Sequence, residues 1–262
     1  MNYTSIDWAD MTWNPVTGCK HGCPYCYAAL TAKRFGGNNY KRTFPGYTTV
    51  DGLRVLETPM HRTQKNGAEA VAPFPFYFEP TFHRYRLGDP AKTELPRNIF
   101  VCSMADLFGS WVPTEWIVQI LDACMAAPQH NYLFLTKNPA RYMALDELAL
   151  LPRKGNFWYG STIETEDGSY FWSEKHNTFI SAEPMHGPLH SAGRIAANWI
   201  IVGAETGHRP GKTLPRREWV MDLAEECREA GVPIFMKSNL VSEGVLEQAE
   251  LIRQRPEGMT FA

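Results

Sequence analysis

The segment Trp13–Ala28, WNPVTGCKHGCPYCYA, holds three of the chain's six cysteines, at Cys19, Cys23 and Cys26. Thiolates so close together suit zinc or an iron–sulfur cluster, and a nearby pair suits redox exchange. A structural zinc site takes four ligands, usually as two separated pairs, and His21 inside the cluster is an awkward fourth. The Cys23-Pro-Tyr-Cys26 spacing ahead of a helix lowers thiol pKa and fits disulfide chemistry, but it leaves Cys19 without a role. A four-iron four-sulfur cubane can be held by three cysteines, with one iron left open to an outside ligand. Gly18 and Gly22 give the backbone the freedom to turn tightly between the sulfurs.

A second set of residues sits at the ends of short apolar runs: Glu79, Asp106, Lys137, Glu164, Glu183, Glu205 and Lys237. The runs are PFYFE, NIFVCSMAD, NYLFLTK, NFWYGSTIE, TFISAE, WIIVGAE and PIFMK. Each is rich in β-branched or aromatic residues and too short for a typical helix. A parallel strand buried on both faces is apolar along its length, so charges at its end mark where it emerges. The alternative is that Glu183 and Glu205 pair with Lys137 or Lys237 in an ion network that orders the fold. Ser103, Thr136 and Ser161 are polar groups at the same ends, and they could equally satisfy backbone groups there.

The elements that must position these residues follow from the intervening patterns. VPTEWIVQILDACMAAP puts Trp116, Ile117, Ile120, Leu121 and Cys124 on one helical face. NPARYMALDELALLP opens with Asn138 as cap and Pro139 at the first helical position. RREWVMDLAEECREAGVP ends at Gly231 and Pro233, and SEGVLEQAELIRQ predicts a last helix. A further helix is expected from Ala28 to Phe35. Strand–helix alternation predicts a single-domain α/β fold: a parallel (β/α) barrel, TIM-like or partial, with its site at the C-terminal mouth. MTWNPVTG would be the first strand and PFYFE the second, with residues 43–73 a long excursion between them, and Cys102, Cys124 and Cys227 read as core thiols.

Composition sets the bounds. The chain has 262 residues, 44% hydrophobic and 21% charged, with a net charge of −2. That balance exerts no global pull on nucleic acid or membrane, so any electrostatic argument is local. The N-terminus lacks a secretory pattern, and no apolar stretch is long enough to span a bilayer, which makes a cytoplasmic location with reduced thiols the expectation. Two segments are locally basic: HRYRLGDPAK (His83, Arg84, Arg86, Lys92) and GHRPGKTLPRR (Arg209, Lys212, Arg216, Arg217). Beside Tyr85 they would suit a phosphate-bearing partner, a nucleotide or nucleic acid; the alternative is ordinary solvated loops.

Cys-x3-Cys-x2-Cys with an aromatic residue before the last cysteine resembles the signature of the radical S-adenosylmethionine (SAM) superfamily. The wider pattern, WNPVTGC, VCSMADLF, FLTKNPARY, YGSTIE, ISAEPM and IIVGAETG, is similar to a phage-associated radical SAM-like family of unknown function. The resemblance implies that Cys19, Cys23 and Cys26 bind a 4Fe-4S cluster whose open iron takes S-adenosylmethionine. Reductive cleavage would then give a 5′-deoxyadenosyl radical that abstracts hydrogen from a substrate. It further implies Tyr25 near the adenine, with Ser103, Asp106, Thr136, Lys137, Ser161 and Glu164 as cofactor contacts. Glu183, Glu205 and Lys237 remain as candidate catalytic groups, and the expected electron donor is a flavodoxin or ferredoxin. The second strand of such barrels usually ends in a glycine-rich stretch, and FEPTFH departs from that pattern. A nucleic-acid base or nucleotide is the favoured substrate class and a peptide the competitor. A metal-stabilised nucleic-acid-binding module without catalysis is the reading outside enzymes.

Overall fold

The computed structural model describes residues 1–36, 42–43, 47–50, 52–64, 66–189, 196–206 and 209–259. The early strands are β1 (Asn2–Tyr3), β2 (Met11–Trp13), β3 (Val16–Thr17), β4 (Arg42–Thr43), β5 (Thr48–Val50) and β6 (Leu53–Leu56). They continue with β7 (His61–Thr63), β8 (Glu69–Val71), β9 (Thr81–His83), β10 (Asn98–Val101), β11 (Asn131–Thr136) and β12 (Phe157–Thr162). The last are β13 (Asn177–Ala182), β14 (Trp199–Val202) and β15 (Ile234–Met236). The helices are α1 (Tyr27–Phe35), α2 (Thr114–Met125), α3 (Ala140–Glu147), α4 (Arg217–Ala230) and the single turn α5 (Asn239–Ser242).

The main sheet runs β1-β2-β10-β11-β12-β13-β14-β15, parallel throughout except for β1. Its two faces differ in kind. On the helix side, Ile99, Val101, Tyr132, Phe134, Phe157 and Tyr159 pack with Trp116, Ile120 and Tyr142 of α2 and α3. Farther along, Ile200 and Val202 meet Val220 and Leu223 of α4. Phe100, Leu133, Trp158, Phe179, Trp199 and Phe235, one position out of phase, fill the opposite face together with Trp8. This face is concave: Trp8 lies against both Phe100 and Phe179, with ring centroids 4.6 and 6.1 Å apart. Gly160 is required there, because a Cβ would collide with the Phe179 ring. Among the described residues no strand pairing joins β1 or β2 to β15. Asp7 bridges the two ends instead, accepting from the Ser238 N–H at 2.6 Å and from Arg253 at 3.3 Å.

Three expectations are corrected. PFYFE is not a strand: Pro75–Glu79 forms turns, with Tyr77 N–H bonded to the Phe74 carbonyl and Glu79 N–H to that of Phe76. Two prolines, Pro75 and Pro80, deny that stretch ladder donors, and β10 therefore pairs directly with β2 as the second parallel strand. SEGVLEQAELIRQ is not a long helix. Gly244, at φ 72°, ends it after one turn, and the chain then runs antiparallel beside β15. Asn138 does not cap α3; its side chain donates to the Phe108 carbonyl instead. The excursion at 43–73 is a pair of small sheets, β3-β9-β6-β5 and β4-β7-β8, rather than an unstructured loop. α2 buries the five residues its spacing predicts, and α4 ends on left-handed Gly231 as expected.

Candidate functional site

A cavity of about 540 Å³ opens at the C-terminal ends of the parallel strands. The loop Gly18–Cys26, between β3 and α1, forms one wall. Gly18 (φ 93°) and Gly22 (φ 71°) supply the left-handed turns that fold it, and a Cβ on Gly18 would collide with the Glu79 carbonyl. Cys19, Cys23 and Cys26 all line the cavity, and all are free thiols. The sulfur of Cys26 also caps α1 by accepting from the Ala29 N–H. Burial pushes the Cys19 thiol up to about 11. It raises Cys23 as well, with nearby Lys137 opposing the shift. Cys102, Cys124 and Cys227 are buried away from the cavity, as core thiols should be.

The loop is pinned to the strand ends at two points. His21 donates to Asp106 at 2.7 Å and sets its ring edge-on to Trp111. Asp106 also accepts from the Thr136 hydroxyl (2.7 Å) and from the N–H groups of Lys137 and Phe108, each at 3.0 Å. The second pin is Tyr25, whose hydroxyl donates to Glu164. Lys137 donates to the same Glu164 oxygen at 2.5 Å, and its ammonium lies 5.3 Å from the centre of the Tyr25 ring. Burial disfavours ionised Glu164, but the hydrogen bonds from Lys137 and Tyr25 outweigh it and hold the carboxyl below its usual range. Tyr27, at the start of α1, donates to the Ser103 carbonyl at 2.7 Å, and Ser103 donates to Asn14 at 3.2 Å.

The opposite wall comes from β13, β14, β15 and the N-terminal segment. Lys237 pairs with Glu183, and Gly203 leaves room for that pair: a Cβ there would stand 2.9 Å from the lysine chain. Glu205 is 1% exposed and receives two bonds of 2.8 Å from Arg209, which hold its carboxyl below the usual range despite burial. Trp8, Phe100 and Leu135 form the apolar floor.

Of the residues singled out by sequence, the cavity gathers Cys19, Cys23, Cys26, Tyr25, Ser103, Asp106, Thr136, Lys137, Glu183, Glu205 and Lys237. Glu164 stands behind Tyr25 and Lys137. Ser161 is misplaced: it lies on the helix-facing side of β12, accepts from the Phe171 N–H at 3.0 Å, and leaves Thr162 as that strand's cavity residue. Glu79 does not reach the cavity, because its segment is not a strand. Sequence reasoning missed Ser181, which the two-residue period puts on the same face as Glu183. It also missed Asp7 and Trp8, which lie in a segment with no pattern to read.

The two basic segments offer little to a phosphate. His83 is buried against Thr17 with its imidazole pKa held well below the usual range by burial. Arg84 pairs with Glu57, Lys92 with Asp89, Lys212 with Glu243 and Arg217 with Glu250. Arg86 donates to the Asn14 carbonyl, and Arg216 lies over the Trp219 ring. None of these cations lines the cavity.

Among the described residues no group of three or more His, Cys, Asp or Glu side chains is arranged to hold a metal ion, and no helix is long and apolar enough to cross a membrane. No curated protein and no solved structure matches the chain. Residues 3–243 match the family described as "Protein of unknown function (DUF5131)", and the chain belongs to that family.

Proposed function

We propose that the chain is a radical SAM enzyme built on a partial barrel, with its iron–sulfur centre on the loop Gly18–Cys26. The observation that carries this is the meeting of Cys19, Cys23 and Cys26, as free thiols, on one wall of a cavity lined on its other sides by strand ends. The donor set fits a cluster better than a single ion. One metal ion needs its ligands around one point, whereas each iron of a cubane takes its own thiolate. His21, engaged by Asp106, is not offered as a fourth ligand. Neutral, desolvated thiols lose their protons outright on meeting a cationic metal.

When bound, the cluster and S-adenosylmethionine would supply one-electron cleavage and a carbon radical for hydrogen abstraction. The chain's own residues then have three tasks. Glu164, through Tyr25 and Lys137, fixes the loop against β11 and β12. Asp106 does the same through His21, so it acts as a brace rather than a free contact. The floor of Trp8, Phe100 and Leu135 excludes water from the reacting centre, while Glu183 and Lys237 present a compensated polar pair to substrate. With β10 as the second strand, the stretch expected to face the methionine amine is Cys102–Asp106, which is not glycine-rich. The cytoplasmic location and the flavodoxin or ferredoxin donor belong to the same reading, as does a nucleotide or nucleic-acid substrate.

The test is anaerobic reconstitution with iron and sulfide, followed by dithionite and S-adenosylmethionine, with 5′-deoxyadenosine as the readout. Wild type should form it and Cys26→Ala should not. A protein that retains zinc and leaves S-adenosylmethionine intact is the metal-stabilised binding module instead.

A further inference from the structure

Among the described residues, several buried side-chain nitrogens and oxygens lack a hydrogen-bond partner, but only Trp8 Nε1 and Ser181 Oγ belong to residues lining the cavity. Trp8 is 2% and Ser181 1% exposed. They are neighbours in depth. Ser181 follows Phe179 by two residues on the concave face of β13, and Trp8 rests on Phe179. In the strand register Ser181 lies between Thr162 and Ile201, one step below Glu183.

Their lack of partners is an exception on this wall. Asp7 is taken up by Ser238 and Arg253, and Asn239 is engaged at both ends of its amide by the backbone of Ala204. Glu205 is held by Arg209 and Glu183 by Lys237. Buried polar groups in folded proteins are nearly always satisfied, so two unsatisfied ones on a cavity floor point to a partner that arrives with a ligand. The indole N–H can only donate, and the hydroxyl donates or accepts. The ligand must therefore bring acceptors, beside the flat apolar surface of Trp8 and Phe100.

We infer that this wall is a subsite for a single uncharged nucleobase, whose carbonyl or ring-nitrogen acceptors take the Trp8 Nε1 and Ser181 Oγ protons. The inference rests on the cavity being the substrate site proposed above, and it narrows the substrate to the base rather than the phosphate of a nucleotide. Charge supports that choice. The wall carries Asp7, Glu183 and Glu205 against Lys237, and Lys237 is already paired, so a phosphate would meet net negative charge. A peptide backbone could offer carbonyls but has no flat ring to lay against the aromatic floor.

The experiment is calorimetric titration of the full-length wild-type protein with guanosine, cytidine, uridine and thymidine, then with their 5′-monophosphates and a capped tripeptide amide. Adenosine is left out because it could occupy the S-adenosylmethionine site. At least one nucleoside should bind, with its monophosphate no tighter. Ser181→Ala and Trp8→Phe should each weaken binding by about three- to tenfold, the size of one lost hydrogen bond. Ser181→Ala should leave the melting temperature of the free protein unchanged or higher, because it removes an unsatisfied group, which a merely structural serine would not do. No nucleoside binding overturns the proposal. So does binding indifferent to both substitutions, a monophosphate at least tenfold tighter than its nucleoside, or binding of the tripeptide alone. The titration needs neither reductant nor S-adenosylmethionine, so its failure is separate from failure to form deoxyadenosine.

Discussion

The two walls of the cavity are built on opposite principles. The cysteine wall is a loop, folded by left-handed glycines and pinned from outside by Asp106 and Glu164, and its thiols have no cation to balance them as thiolates. The facing wall is made of strand ends, and its charges are already matched: Glu183 with Lys237, Glu205 with Arg209. Compensated charges stabilise the fold whether or not a ligand is present. Uncompensated donors do something only when a ligand arrives. The difference assigns binding to the loop and framework to the strands, with Trp8 and Ser181 the exceptions on the strand side.

The largest test of that division is removal of a thiol. Cys19→Ala, Cys23→Ala or Cys26→Ala should abolish both iron retention and deoxyadenosine formation, while circular dichroism shows the sheet unchanged. Loosening the pin without touching a ligand comes next. Glu164→Gln should lower deoxyadenosine formation by roughly 10- to 100-fold, as loss of a supporting hydrogen-bond partner does at metal sites, with the iron content preserved.

The facing wall should respond in stability first. Lys237→Met leaves Glu183 without its cation at a mostly buried site, a loss of about 2 kcal/mol in chemical denaturation, reduced from the fully buried case by the pair's partial exposure. Adding Glu183→Leu should recover most of that. If the double variant is as unstable as the single one, the pair is not the framework described here.

Smallest of all is the pH signature of Glu205. Its folded pKa is depressed, so its contribution is present above the unfolded value, about 4.5, and is lost as pH falls through the folded value. Glu205→Gln should therefore melt below wild type at pH 7, and the gap should close as the pH drops below about 4. A gap of constant size from pH 7 to pH 3 would remove the Arg209 bond from the account.

What could be read in the sequence was what lies close along the chain. The three cysteines are contiguous, so their convergence needed only the glycines between them. Asp106, Lys137, Glu183, Glu205 and Lys237 reached the cavity because strand length and buried parallel geometry determine where a chain emerges. PFYFE misled because aromatic content imitates a strand; there Phe76 serves instead to pack against Tyr47 and beneath Arg54. Its loss moved every later strand one place earlier in the sheet. Ser161 was legible in principle, since alternation with Gly160 and Thr162 turns it away from the cavity. The pairing of Tyr25 with Glu164, 139 positions apart, leaves no local trace. The same holds for Trp8 on Phe179 and for the bridging of the sheet's ends by Asp7. Nor could charge counting have shown that the cations of the basic segments are used up internally, because each partner comes from a different element.

The most direct measurement of the central claim is electron paramagnetic resonance of the reconstituted, dithionite-reduced protein, before and after S-adenosylmethionine is added. Three thiolates holding a cluster with one open iron predict a reduced-cluster signal whose g-values shift when S-adenosylmethionine is added, and no such signal in Cys26→Ala. A signal indifferent to S-adenosylmethionine, or zinc in place of iron in protein prepared without oxygen, would contradict it.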